Sequence, residues 1–201
     1  MMTKIKINED NINKLFFTSD QHYYHKNIIS YCNRPFQDEF YMNDNLIDNW
    51  NSIVPKDGIV IDGGDFAFTG NIKHIKELND KLNGTIYRCL GNHCYQNKHD
   101  RQIIKNIFDN RVYDVIDLTV FDDELDGGHV NFFISHYPHL FWKRGAFHLH
   151  GHVHSGPRST SNELVPYHDR RYDIGVDNND YKPVSYTDLK ILFTKRLGGF
   201  K

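Results

Sequence analysis

The sequence predicts an α/β fold in which two sheets face each other and helices lie outside them. In the first half, short apolar runs alternate with segments whose apolar residues recur at helical spacing, which is the pattern of an α/β sheet. In the second half, apolar runs follow one another closely, which indicates a second sheet. The length of 201 residues suits one domain over 1–201, or at most a tightly fused pair.

Each element of the first half has its own signal. Compact apolar runs bounded by turn residues predict three buried strands: 15–19, 58–61 and 85–90. Apolar residues at helical spacing predict three helices between and after them: 46–54, 72–82 and 103–108.

The second half is richer in strands. The runs 118–121 and 130–134 flank a polar, glycine-containing turn and predict a hairpin. Further strands are predicted at 148–153, 172–176 and 189–193.

Composition argues against several classes of protein. Apolar residues make up 39% of the chain, with 14 Phe and 12 Tyr, which is enough for a core. No apolar run approaches the roughly 18 residues of a membrane span, and the N-terminus lacks the apolar core of a signal peptide. The formal charge of -2 provides no general basic surface for nucleic acid. Three cysteines are too few for a disulfide framework, so we expect a cytoplasmic protein without membrane contact.

Polar side chains follow one predicted strand after another, and the chain holds 13 histidines, a residue that binds metals and transfers protons near neutral pH. Asp20 and His22 follow the first strand, and extended backbone would aim both into one cleft. Asp65, Asn92 and His136 follow later strands. Taken alone, each of these blocks also fits an ordinary polar turn.

The segment 148–154 carries a histidine at every second position. If this segment is one strand, His148, His150, His152 and His154 share a face, and His152 and His154 can serve one metal cluster. Mixed imidazole and carboxylate ligands suit zinc, manganese or iron rather than calcium. Seven ligands are too many for one tetrahedral site, so two ions roughly 3.5–4 Å apart with a bridging carboxylate are predicted.

Five blocks together resemble the calcineurin-like metallophosphoesterase superfamily, and they occur in the family's order: Asp20-x-His22, Gly64-Asp65, Gly91-Asn92-His93, His136 and Gly151-His152-x-His154. The resemblance spans about residues 16 to 188. Further blocks are similar to the small bacterial and phage-type branch: His25-Lys26-Asn27-Ile28-Ile29, Arg34-Pro35-Phe36, Asn49-Trp50-Asn51, and Val176-Asp177 followed by Tyr181-Lys182-Pro183-Val184.

The resemblance implies a four-layer α/β/β/α sandwich of two mixed sheets, with the metal site at the strand C-termini. The ligands so implied are Asp20, His22 and His154 for the first ion, Asn92, His136 and His152 for the second, and Asp65 bridging both. His93 would act near the phosphate as proton donor or electrostatic stabiliser. Cys94 departs from the family, which usually has an acid here that orients the histidine, whereas a thiol is a weak hydrogen-bond partner.

A metal-dependent phosphoesterase is the function implied, with a phosphodiesterase acting through a hydroxide that bridges two divalent ions as the leading expectation. The expected ions are Mn, Fe, Zn or Ni, with manganese favoured. A phosphomonoesterase and a non-catalytic metal-binding scaffold are the alternatives. The expected partner is a phosphate ester, with a nucleotide or a nucleic-acid end among the candidates. Two weaker candidates for contact with the substrate phosphate are His25 and Arg34, whose guanidinium presents a planar fork to phosphate oxygens.

Overall fold

The computed structural model describes residues 2–94, 98–155 and 168–198, apart from the side chains of 98–102 and 168. The strands are β1 (Met2–Ile7), β2 (Leu15–Thr18), β3 (Ile59–Asp62), β4 (Thr85–Cys89), β5 (Val112–Tyr113), β6 (Val115–Phe121), β7 (His129–Ser135), β8 (Phe147–His150), β9 (Arg171–Asp173) and β10 (Val184–Ser185). The α-helices are α1 (Lys26–Tyr31), α2 (Glu39–Ile53), α3 (Ile72–Lys81), α4 (Lys98–Ile107) and α5 (Tyr186–Leu197). Short 3-10 helices span Glu9–Lys14, His168–Arg170 and Val176–Asn178.

The first sheet has the strand order β10-β2-β3-β4-β5. Strands β2 to β5 are parallel neighbours, and β10 lies antiparallel to β2 at one edge. Successive side chains of β2 point to opposite faces, so that Phe16 packs against the helices and Phe17 against the other sheet. Because β2, β3 and β4 are parallel, their C-terminal ends meet at one edge of the sheet.

The second sheet has the order β1-β6-β7-β8-β9. Strands β6 and β7 pair antiparallel with Leu118 opposite Phe132, which confirms the predicted hairpin. Strands β7, β8 and β9 are parallel, so the ends of β7 and β8 also lie side by side. Strand β1 pairs in parallel with β6 and was not predicted from the sequence.

Two hydrophobic cores hold the layers together. One lies between the sheets and includes Phe17 and Ile61 from the first sheet and Phe132 and Leu149 from the second. The other joins the opposite face of the first sheet to α2, α3 and α4, with Trp50 fully buried in it. The fold class is confirmed: the chain is an α/β sandwich of two mixed sheets.

The predicted strand at 189–193 is wrong, because these residues lie in α5. Leu189 and Phe193 are four residues apart and both fully buried, so they share the helix face that packs into the core between the sheets. Ser185 starts this helix, and its Oγ accepts a hydrogen bond from the Asp188 N–H. A short apolar run is compatible with both the strand period of two residues and the helical period of 3.6. The helix cap at Ser185 is the local signal that favours the helix here. Within the described ranges, no helix is long and apolar enough to cross a membrane.

Candidate metal centre

The polar blocks singled out in the sequence meet at one edge of the sandwich. They follow the C-terminal ends of β2, β3 and β4 in the first sheet and of β7 and β8 in the second. Within each sheet these strands are parallel neighbours. Five separate turns therefore deliver carboxylate, amide and imidazole groups to a common place, which is where open α/β sheets bind their ligands.

Asp20 and His22 reach the site by a different backbone path from the one predicted. Their φ angles are 60° and 54°, in the left-handed region rather than extended. Hydrogen bonds to the turn after β3 hold this path, because the N–H groups of Asp20 and His22 donate to the carbonyls of Gly64 and Asp65. Both side chains are nevertheless buried and face each other, with His22 Nε2 4.0 Å from Asp20 Oδ1.

Asp65 lies at the centre of the arrangement. Its Oδ1 accepts a hydrogen bond of 2.8 Å from the His93 N–H. Its Oδ2 lies 3.2 Å from His136 Nε2 and 3.7 Å from His22 Nε2. His22 is a predicted ligand of the first ion and His136 of the second. Gly91 allows this placement, because a Cβ there would meet Asp65 Oδ1 at 2.0 Å.

His136 and Asn92 form the side of the site that adjoins β7. His136 Nε2 lies 2.9 Å from Asn92 Oδ1, and His136 Nδ1 lies 3.2 Å from the Gly63 carbonyl oxygen. A cavity of about 270 Å³ opens beside these two residues and is also lined by Tyr137 and His139. The space next to this half of the site can admit a bound molecule.

The prediction that four alternating histidines share one strand is wrong. Strand β8 ends at His150, and His152 and His154 follow in a turn with φ angles of 72° and 46°. His148 is buried in the fold, where its Nε2 accepts a hydrogen bond from the His139 N–H. The remaining member, His150, is also fully buried, and its Nδ1 lies 3.0 Å from the Gly151 carbonyl oxygen.

The turn after β8 brings only its last two histidines to the site. The His152 N–H donates to Asp20 Oδ2, and its ring packs edge-on against His136 at 5.0 Å between centroids. His154 Nε2 lies 3.8 Å from Asp20 Oδ1. The tight approach requires Gly151, since a Cβ at this position would meet Asp20 Oδ2 at 2.0 Å.

The donor set fits divalent metal ions. Among the described residues, three groups of side chains converge with their ligand atoms within 4.8 Å of one another: Asp20, His22 and His154; Asp20, Asp65 and His136; and Cys32, His154 and Asp177. Asp20 Oδ1 and His22 Nε2 are buried and have no hydrogen-bond partner. Buried polar atoms are normally satisfied, so two such atoms facing each other are readily explained as metal ligands.

The environment of the site shifts the pKa values of its titratable groups in different directions. Burial raises the pKa of Asp20. Burial acts in the same sense on Asp65, but His136, His22 and the His93 N–H outweigh it and lower the pKa of Asp65 to about 2. Burial lowers the pKa of His22 well below its usual range. His22 is therefore neutral near pH 7, which is the form that binds a metal.

His154 has a charged partner behind it. Its Nδ1 lies 2.7 Å from Asp177 Oδ2, in the 3-10 helix after β9. Burial opposes protonation of the ring, but hydrogen bonds to Asp177 and Cys32 and the charge of Asp20 raise the pKa of His154 to about 10. Sequence reasoning assigned Asp177 no role, because nothing in the spacing shows that residues 154 and 177 touch.

Arg34 was predicted to contact the substrate phosphate, and this stays a prediction, although its guanidinium is engaged by the protein in the structure. Its side chain is buried, and all three guanidinium nitrogens bond to the protein. A residue before proline at a turn looks like a surface position, but here the guanidinium points inward. His25 lies behind His22, with 3.0 Å between the two Nδ1 atoms, and its ring stacks on Phe68. Contact between His25 and substrate stays a prediction.

His93 and Cys94 occupy the turn after β4. The His93 side chain is exposed, and its ring lies 5.3 Å from the ring of His22 and 5.1 Å from that of Phe68. Cys94 Sγ accepts a hydrogen bond from the Gly91 N–H and packs against the helix-side core. Burial raises the pKa of Cys94 to about 11, so it remains a neutral thiol.

Comparison with known proteins gives a fold but no assigned activity. No family model matches the chain. An uncharacterized protein of Methanocaldococcus jannaschii is 46% identical over 81 residues, which are 40% of this chain and 46% of that protein. The chain therefore matches less than half the length of this relative.

Solved structures extend the comparison. A protein of unknown function from Aquifex aeolicus aligns with a TM-score of 0.68 at 23% identity, over 89% of this chain and 98% of that one, which shows a shared fold. A novel archaeal phosphodiesterase aligns with a TM-score of 0.39 at 21% identity, over 70% and 73% of the two chains. At that TM-score the likeness does not establish a shared fold.

Proposed function

We propose that this protein is a metal-dependent phosphoesterase, most specifically a phosphodiesterase. The observation that carries the proposal is the convergence of aspartate and histidine side chains from both sheets, with Asp20 Oδ1 and His22 Nε2 buried and unpartnered between them. Oxygen and imidazole donors in this mixture suit Mn, Fe or Zn. The resemblance of the sequence blocks to metallophosphoesterases supports the reaction class.

The proposed ligands follow the two halves of the site: Asp20, His22 and His154 for one ion, Asn92, His136 and His152 for the other, and Asp65 for both. Asp65 Oδ2 supports the bridging role because it lies within 3.7 Å of His22 Nε2 and 3.2 Å of His136 Nε2. Two divalent ions bound there would activate water near neutral pH and stabilise the charge that develops on phosphoryl oxygens.

His93 is the proposed general acid. The bond from its N–H to Asp65 Oδ1 fixes the turn beside the metal ligands, while its side chain remains exposed. The imidazole can therefore reach the leaving oxygen of a phosphate ester from solvent and donate a proton to it. Such proton transfer contributes typically about 10²–10⁴-fold to a rate.

A nucleotide or a nucleic-acid end is the proposed substrate class. Two exposed aromatic rings flank the site: Phe68 beside His93, and Tyr137 with its ring 4.6 Å from that of His152. Bases stack on such rings with about 1–3 kcal/mol each. A phosphodiester carries a group on either side of its phosphorus, which matches one ring on each side of the site.

The test combines elemental analysis of the purified protein with a hydrolysis panel. The panel contains a chromogenic phosphodiester, its monoester analogue, and 2′,3′- and 3′,5′-cyclic nucleotides, each with and without added Mn²⁺. The proposal expects two bound ions per chain and metal-dependent turnover, faster on the diester than on the monoester. Faster monoester turnover would make the protein a phosphomonoesterase. Metal binding with no turnover on any compound would favour the non-catalytic scaffold.

A further inference from the structure

A buried ion pair lies directly behind the candidate metal centre. Arg34 Nε lies 2.8 Å from Asp177 Oδ1, and Arg34 Nη2 lies 2.8 Å from Asp177 Oδ2. The two side chains are 0% and 5% exposed and 143 positions apart in the sequence. A two-bond contact between guanidinium and carboxylate fixes both the distance and the orientation of the partners.

Each member of the pair also holds the segment that carries a proposed metal ligand. Arg34 donates to the carbonyl oxygens of Gln21 and Asp20, at 2.8 and 2.7 Å. Asp177 accepts from His154 Nδ1 at 2.7 Å. One guanidinium and one carboxylate therefore connect the turn after β2 to the turn after β8, although these strands belong to different sheets.

A second contact joins the segment that carries Arg34 to the segment that carries Asp177. The rings of Phe36 and Tyr181 pack edge to face with 5.0 Å between centroids. The sequence blocks Arg34-Pro35-Phe36 and Val176-Asp177 with Tyr181, which the proposed chemistry leaves without a role, thus touch one another through both charge and ring packing.

In the half of the site that contains His136, the hydrogen-bond partner behind the histidine is weaker. His136 Nδ1 faces the neutral carbonyl oxygen of Gly63 at 3.2 Å, whereas His154 Nδ1 faces a carboxylate at 2.7 Å. A carboxylate behind a ligating histidine fixes its tautomer and ring orientation and makes it a stronger donor to the metal.

We propose that Arg34 and Asp177 are positioning residues that assemble the half of the metal centre formed by Asp20 and His154. Asp177 accepts the hydrogen bond of His154 Nδ1 and so directs Nε2 towards Asp20, where it would bind the ion in place of any proton. Arg34 holds Asp177 in place and fixes the turn that carries Asp20. The proposal rests on the metal centre of the proposed function, but it does not require that the centre hydrolyse a phosphate ester.

The test measures metal binding in Asp177→Asn, which keeps the shape of the side chain but removes its charge and one acceptor oxygen. Because this change leaves Arg34 buried without a charged partner, the double variant Arg34→Met/Asp177→Asn removes both charges and serves as a second probe. Asp122→Asn is the matched control, since Asp122 is also a buried carboxylate paired with a cation, Lys190, but has no contact with the proposed ligands.

Isothermal titration with Mn²⁺ and competition with a chelator give the number of ions and their separate affinities, and the melting temperature of metal-free protein reports folding. We expect both probes to lose about 10–100-fold in the affinity of one ion, while the other ion binds within about threefold of wild type. The control should bind both ions as wild type does. Wild-type affinity for both ions in the probes would overturn the positioning role.

Equal loss of both ions, in step with a lower melting temperature, would also refute the proposal, because it would show a purely structural role for the pair. Failure of the proposed function is a different result. A wild-type protein that binds two ions but hydrolyses no ester would overturn phosphoesterase activity, while the same titrations would still support the positioning role through selective loss of one ion.

Discussion

Replacing Gly91 by alanine tests whether the close packing around Asp65 is needed for the metal centre. A Cβ at position 91 would lie 2.0 Å from Asp65 Oδ1 and 2.7 Å from the Asp65 backbone nitrogen. Real Cβ atoms essentially never come within 3.0 Å of another heavy atom, so Oδ1 would have to retreat by at least about 1 Å. The backbone nitrogen cannot rotate away, and the carboxylate would lose its bond to the His93 N–H.

The expected loss follows from this displacement. A misplacement of about 1 Å in a catalytic group typically costs about 100-fold in rate. That factor corresponds to about 2.7 kcal/mol of transition-state stabilisation. Since Asp65 is the proposed bridging ligand, we expect the affinity of both ions to fall together with turnover of a chromogenic diester.

Gly70→Ala is the matched control, because a Cβ at position 70 would meet nothing within 4 Å and Gly70 has no positive φ. Turnover, bound metal and the metal-free melting temperature are measured for both variants. The control should retain all three. If Gly91→Ala keeps wild-type turnover and two bound ions, the inference that Asp65 needs this close approach is refuted.

Three further predictions concern single side chains. Asp65→Asn should weaken both ions together, and two ions retained at wild-type affinity in elemental analysis would contradict bridging. His93→Ala should lower turnover of a diester with a poor leaving group by about 10²–10⁴-fold while the metal content stays unchanged, and full turnover would exclude the acid role. Burial opposes ionisation of Asp122, but hydrogen bonds from Lys190 and Tyr186 outweigh it and lower its pKa. The stability that Asp122 contributes is therefore present above its usual pKa and lost as the pH falls through the lowered value, so Asp122→Asn should flatten acid unfolding measured by circular dichroism. An unchanged acid transition would show that Asp122 contributes nothing to it.

The sequence by itself determined which residue types the candidate site contains and the order in which they occur. Apolar runs placed β2, β3 and β4 close to their observed bounds, because burial leaves a local periodic pattern. The polar residues that follow these strands are those that meet at the edge of the sandwich, since parallel strands in a sheet end at the same side. The α/β class and the existence of a cluster of possible metal ligands were predictable for this reason.

The tertiary structure decided how the turns that carry the candidate metal ligands are held. His152 and His154 leave the strand in left-handed conformations that no periodic pattern encodes. Arg34 and Asp177 pair across 143 positions, and only the packing of two sheets brings them together. Local spacing reports which side chains a strand buries, whereas the orientation of a metal ligand depends on contacts between distant segments. The identity of the candidate donors is therefore a property of the sequence, and their geometry is a property of the fold.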